Sequence, residues 1–206
     1  MLEAITYQQM LQAIKNSKIQ EDIIGILITR PDLKVGKSIL GSINYYHHAT
    51  GNNLNFYLPG YGAYWYGQYS DGKEVCQIDG VTWSYSDKMF VEFINDLQKY
   101  STWTYSGESE LLLIEYREGR LYYDEMIRFY LENMMRDNVI FSIPAFFQQL
   151  FRICKKNDNL EQVSNTLGRK RLIKVTKTTI LDNLPSMLKN VCAQEKYFCV
   201  GNYERG

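Results

Sequence analysis

Residues 22–66 read DIIGILITRPDLKVGKSILGSINYYHHATGNNLNFYLPGYGAYWY, and this stretch decides the fold. Ile23–Thr29 is an unbroken apolar run rich in β-branched side chains, the pattern of a strand buried on both faces. Pro31 ends the run, because proline has no N–H to give to a strand ladder. Gly36 opens a helix over 37–48, with Ile39, Leu40, Ile43 and either Tyr46 or His47 on one face. The polar turn Thr50–Asn53 closes that helix, and Leu54–Leu58 is a second short strand. A strand, a helix and a strand of these lengths predict a right-handed crossover between parallel strands.

Working outward, Tyr7, Met10, Leu11 and Ile14 recur at helical spacing and predict a helix over 6–19. After the second strand, residues 59–86 are glycine-rich. Asp71-Gly72 and Asp79-Gly80 are turn signals, so Glu74–Ile78 and Val81–Tyr85 predict a hairpin. Ser86 caps a helix over 87–99 that turns Met89, Phe90, Phe93, Ile94 and Leu97 inward. Glu110–Tyr116 is the third strong strand, followed by a turn at Glu118-Gly119. Met126, Ile127, Tyr130 and Met134 then predict a helix over 123–136. Ser142 caps another helix, with Pro144 in its first turn, where proline is tolerated. Residues 155–170 are polar and read as an exposed connection. Leu172–Thr176 reads as a fourth strand, 180–193 as a helix that Pro185 could shorten to a start near Asn183, and Tyr197–Val200 as a closing strand. Strands alternating with helices predict one α/β domain over residues 1–206, with three layers and a mainly parallel sheet. The hairpin could add antiparallel strands at an edge of that sheet.

Composition narrows the function. The chain has 206 residues, 45% of them apolar, enough for a substantial core. Lys+Arg and Asp+Glu are equal at 23 each. Zero formal charge removes the strongest argument for non-specific nucleic-acid or membrane-surface binding, although a local basic patch could still contact nucleic acid or an acidic partner. The densest basic stretch, Arg169-Lys170-Arg171 with Lys174 and Lys177, reads more simply as a solvated strand face. The longest apolar runs are strands such as Leu111–Ile114, so no membrane span is expected. Glu3 in MLEAITYQQM argues against a secretory leader, and the expected location is the cytoplasm. Cys76, Cys154, Cys192 and Cys199 form no C-x-x-C pair and read as reduced thiols; no metal site is expected. His47 and His48 are adjacent on a helix, point about 100° apart, and on that ground should not both line one site.

The chemistry-bearing candidates lie mostly in the opening stretch. Gly36-Lys37-Ser38 sits between a strand and its helix, the setting of a phosphate-binding loop whose N–H groups curl around phosphate. That loop needs a glycine where Pro31 stands, so the motif is degenerate. The plainer account is a helix start with a solvent-facing lysine. A weaker form keeps Arg30 and Lys37 as cations near the helix amino end. Beyond the second strand, Gly60, Tyr61, Tyr64 and Trp65 belong to a loop that places five rings within nine residues, four of them among the chain's 17 tyrosines and the fifth Trp65. Glycine lets a ligand approach the backbone, and the rings could stack on a base or sugar. The competing account is a loop folded over the core and pinned by its own rings. Tyr105–Glu110 offers two acids and two hydroxyls. A parallel third strand would place them at the edge opposite the aromatic loop, as a solvated turn.

Taken together, the sequence points to an α/β protein that binds a small anionic ligand, a nucleotide or nucleotide-derived molecule, at the carboxyl edge of its first two strands. Arg30 and Lys37 would meet the anion; Gly60, Tyr61, Tyr64 and Trp65 would frame the base or sugar. An enzymatic version needs an acid nearby, with Asp32 and Glu115 as candidates. The alternatives are a non-catalytic interaction subunit, using the aromatic loop against a protein partner or a second copy, and a nucleotide hydrolase with a degenerate phosphate loop. No catalytic residue, cofactor or metal ligand is assigned.

Overall fold

The computed structural model describes residues 2–4, 6–17, 21–50, 54–65, 67–157, 159–167 and 185–205. The chain order is β1 (Leu2–Ala4), α1 (Tyr7–Asn16), β2 (Glu21–Ile28), α2 (Lys34–Leu40), α3 (Ile43–Thr50), β3 (Asn55–Pro59), β4 (Tyr61–Ala63), β5 (Lys73–Ile78) and β6 (Val81–Tyr85). It continues with α4 (Asp87–Tyr100), β7 (Glu110–Arg117), β8 (Arg120–Tyr130), α5 (Leu131–Arg136), α6 (Ile143–Cys154), α7 (Leu160–Thr166), α8 (Ser186–Cys192) and β9 (Phe198–Gly201). The predicted strand at 172–176 and the basic cluster at 169–177 lie outside the described residues.

The opening stretch forms the predicted unit. β2 and β3 pair in parallel, with Ile24 opposite Asn55 and Ile26 opposite Tyr57. The helix expected over 37–48 is two helices, which meet at Gly41-Ser42. Gly25 has a packing reason: a Cβ there would lie 3.0 Å from the Phe56 ring of β3. Phe56 in turn meets Phe147 and Phe151 of α6 edge-on.

On the other side of β2 the sheet changes direction. β7 runs antiparallel to β2, with Ile23 opposite Glu115 and Ile28 opposite Glu110. β8 runs against β7 and β9 against β8. The order is β1-β3-β2-β7-β8-β9, with β1 parallel to β3. The expected three-layer domain on a mainly parallel sheet is therefore overturned: the large sheet is mixed. The hairpin β5–β6 forms as predicted, but not at an edge of that sheet. With β4 it makes a separate antiparallel sheet of order β4-β6-β5.

The largest local correction is β8, read from sequence as part of a helix over 123–136. Glu118 (φ 52) and Gly119 (φ 83) form a turn with both φ positive. Such a turn follows the twist of two strands and sends the chain straight back. Met126, Ile127, Arg128 and Phe129 are all buried, so this part of β8 is covered on both faces. A strand covered on both faces lacks alternation and cannot be told from a helix by periodicity. Only Leu131–Arg136 is helical there. The polar stretch 155–170 also holds a helix, α7, whose cap Asn159 accepts from the Gln162 N–H at 2.9 Å.

Buried side chains of the large sheet, the small sheet and the helices form one contiguous hydrophobic cluster. No described helix is long and apolar enough to cross a membrane.

Candidate functional site

Antiparallel pairing puts the amino end of β7 beside the carboxyl end of β2. The segment 105–110 therefore shares an edge with Arg30 and Gly60, rather than facing away from them. Ser109 Oγ lies 2.7 Å from Thr29 Oγ1 and donates to Glu132 Oε1 at 3.1 Å. The same carboxylate oxygen accepts from the Val35 N–H in the first turn of α2 at 3.1 Å. The Tyr61 hydroxyl donates to the Thr29 carbonyl at 3.2 Å.

Glu110 is the anchor of this edge. It is fully buried and accepts from Arg128 Nε and Nη2, both at 2.6 Å. The Ser106 N–H and Trp103 Nε1 also donate to it, at 3.0 and 3.3 Å. Arg128 Nη2 reaches the Thr104 carbonyl at 3.1 Å, and the guanidinium lies over the Tyr130 ring. A two-pronged arginine–carboxylate pair fixes geometry as well as charge. Here it holds the loop 103–109 in place.

That loop closes a pocket of about 350 Å³ lined by Arg30, Phe90, Val91, Ile94, Gln98, Tyr105 and Gly107. The Tyr105 N–H donates to Gln98 Oε1 at 3.0 Å, and its ring meets Phe90 edge-on. The Arg30 guanidinium sits 5.3 Å from the centre of the Phe90 ring, with Nη2 3.2 Å from Asp87 Oδ1. Two polar atoms on this lining are buried without a hydrogen-bond partner, Arg30 Nε and Tyr105 Oη. Burial pushes the Tyr105 phenol up to about 12, against the opposing pull of Arg30, so it keeps its proton near neutrality. Both atoms are thus donors, and a buried donor left unpaired costs about 1–3 kcal/mol.

The residues singled out from sequence do not meet in one pocket. Arg30 lines the one just described. Lys37 is exposed on α2 and lines another of about 660 Å³, with Asn44, Tyr45 and Gln77. Gly60 (φ +76) is a point of close approach, since a Cβ there would lie 2.8–2.9 Å from Cβ, Cα and N of Phe90. Tyr61 is fully buried against Tyr85, and burial raises its phenol well above the ordinary value. Tyr64 and Trp65 line a third pocket, of about 480 Å³, on the small sheet. The ring at position 66 lies outside the described residues.

The degenerate phosphate loop also has a structural explanation. A Cβ on Gly36 would overlap the Arg30 carbonyl oxygen, so the glycine lets α2 pack against the end of β2. The amino end of α2 already holds the Glu132 carboxylate, where a phosphate loop holds phosphate. Asp32 is exposed at the β2 edge. Glu115 lies at the far end of β2, opposite Ile23, and is 3.5 Å from Arg117. Glu108 is ion-paired with Arg136 at 3.1 Å.

Adjacency on a helix does not keep His47 and His48 apart. Both reach Asp79 in the β5–β6 turn, His48 at 2.9 Å and His47 at 3.7 Å. Asp79 also donates its N–H to Asn44 Oδ1, so the end of α3 is tied to the small sheet. Among the described residues no group of three or more His, Cys, Asp or Glu could hold a metal ion. The cysteines are free, and burial pushes the Cys76 thiol up to about 11, away from the reactive thiolate.

Sequence reasoning missed Tyr105, Phe90 and Gln98 as pocket residues and Glu110–Arg128 as their anchor. One signal was present: Arg128 stands inside the apolar run Met126–Phe129, and an arginine in such a run is rarely buried unless paired. No protein-family model, curated protein or solved structure matches the chain.

Proposed function

We propose that this protein binds a small anionic ligand with an apolar portion in the pocket between Arg30, Phe90 and Tyr105. The observation that carries it is the pair of unpartnered buried donors, Arg30 Nε and Tyr105 Oη, on one pocket lining. A carboxylate or phosphate oxygen supplies the acceptor both lack, and Arg30 supplies the charge. Phe90, Val91 and Ile94 offer the apolar wall. Both donor atoms are shielded from solvent, so a ligand engages them as the two side chains turn toward it. Among the described residues no carboxylate, thiol or imidazole lines this pocket, and the proposal is of binding, with no reaction attached. A nucleotide-derived ligand belongs to this class, with its phosphate at Arg30.

The test is a thermal-shift screen of the full chain against nucleotides, sugar phosphates and small aromatic or branched carboxylates. A ligand that binds only the folded state raises the melting temperature, by an amount worth about 2.7 kcal/mol at a hundredfold excess over Kd. A shift that disappears in both Arg30→Gln and Tyr105→Phe is expected. A shift that survives both variants rejects the pocket.

A second reading, the interaction subunit, draws on exposed rings: Phe141 is 81% and Tyr64 62% exposed. It predicts a self-association or partner contact weakened by Phe141→Ser, measurable by light scattering after gel filtration.

A further inference from the structure

The small sheet carries a second site with different chemistry. Its pocket of about 480 Å³ includes Tyr64, Trp65, Tyr69, Glu74, Thr82 and Ser84 in its lining. Three observations set it apart. Tyr64 has φ +57 and is 62% exposed. A bulky side chain in the left-handed region is strained, and such strain persists where the surroundings enforce it, most often at functional sites. Trp65 is only 5% exposed, and its Nε1, shielded from solvent, has no hydrogen-bond partner, so a ligand meets this N–H as the indole turns toward the groove. Gly67 and Gly80 open the rim, where an added Cβ would meet nothing within 4 Å.

The lining selects the ligand. Among the described residues it contains one carboxylate, Glu74, and no lysine, arginine or histidine, so an anion finds repulsion and no partner there. A bare ammonium ion would suit the rings and Glu74 but would leave the Trp65 N–H without an acceptor. Trp65 and Tyr69 pack on each other at 4.7 Å and 66°, which leaves no slot between them for a flat base. What remains is one exposed ring, Tyr64, beside hydroxyls, a carboxylate and an unused N–H donor. Those groups match a hydroxyl-bearing ring with one apolar face. We infer that this groove binds a neutral saccharide, independently of the anion pocket at Arg30. The inference is of binding alone, because the common routes of glycosidic hydrolysis take two carboxyl groups and the described lining holds one. The nearby Asp71 is engaged elsewhere, accepting from Ser86 Oγ at 2.8 Å and the Lys88 N–H at 2.9 Å.

The experiment titrates the full chain with maltotriose, cellotriose and chitotriose, following tryptophan fluorescence and heat. At least one binds, with affinity unchanged in Arg30→Gln. Tyr64→Gly weakens that binding at least tenfold while raising the melting temperature by about 2 °C or more, because glycine relieves the positive φ. Trp65→Phe, which keeps a ring but deletes the N–H, also weakens it. A ring that served only packing would lower the melting temperature when removed. The inference is overturned if no trisaccharide binds, if binding is unchanged in Tyr64→Gly, or if choline binds in their place.

Discussion

Glu110 on the large sheet and Glu74 on the small one stand beside two pockets of opposite character. Glu110 is fully buried and accepts from Arg128, Ser106 and Trp103, so its neighbourhood is held by charge-assisted bonds. Glu74 is exposed on a strand whose outward neighbours are hydroxyls, glycines and rings. The edge of β2 resembles a braced frame in which two buried side-chain donors, on Arg30 and Tyr105, stay unpaired. The face of the small sheet displays a strained tyrosine instead. The difference teaches that one chain can prepare a pocket by bracing a loop from behind or by holding a ring out in front. The two designs should fail differently when cut.

The sharpest cut removes the brace. Glu110→Ala leaves Arg128 buried without its partner, and breaking such a pair costs about 3–5 kcal/mol. Glu74→Ala should stay within about 0.5 kcal/mol, as surface changes do. Urea unfolding of both variants measures the contrast, and equal losses would erase it. Replacing both partners together, Glu110→Leu with Arg128→Met, should recover most of the loss, since the penalty lies in the uncompensated charge.

This contrast was legible in the sequence only in part. The unit β2–α2–α3–β3 was legible because its signals are local: an apolar run, Pro31, Gly36 and a polar turn. The hairpin β5–β6 was legible from Asp79-Gly80. The direction of β7 was not, because a buried strand reads alike in parallel and antiparallel company, and its partner lies about eighty residues away. The turn at Glu118-Gly119 is legible, yet β8 reads as helix, because its doubly covered middle carries no alternation. Both readings hide the site: with β7 parallel, the loop 103–109 lies at the edge away from Arg30, and with β8 helical, Arg128 has no route to Glu110. The rings of 61–65 were legible as a feature, though not their division into a buried Tyr61 and an exposed Tyr64.

A smaller contrast uses glycines with similar φ. Gly60→Ala places a methyl against the Phe90 backbone and should cost about 2–4 kcal/mol, strain and overpacking combined. Gly67 has φ +78 and open space around it, so Gly67→Ala should cost only about 1 kcal/mol of strain. Thermal melts of the two variants separate steric from conformational cost; a larger loss at Gly67 reverses the assignment.

The smallest expected effect is a pH dependence at the root of the small sheet. Asp71 is held below its ordinary value, chiefly by the Lys88 N–H and next by the Ser86 hydroxyl. A carboxyl depressed in the folded state adds stability above its unfolded value, about 3.9, and loses it as pH falls through the lower folded value. Acidification below about pH 4 should loosen the loop carrying Trp65 and Tyr69, seen as a change in tryptophan emission. Asp71→Asn should remove that acid step, and the amplitude should be small because the group is close to solvent.

The central claim is that Arg30 and Tyr105 share one anionic ligand, and the most direct measurement watches the arginine itself. In protein carrying isotope-labelled arginine, the Arg30 Nε–H resonance is followed while AMP and, separately, benzoate are added. A downfield shift on saturation with either probe, lost in Tyr105→Phe, is the predicted result. A resonance that stays in place while probe-induced shifts appear elsewhere, or with no binding of either probe, would contradict it.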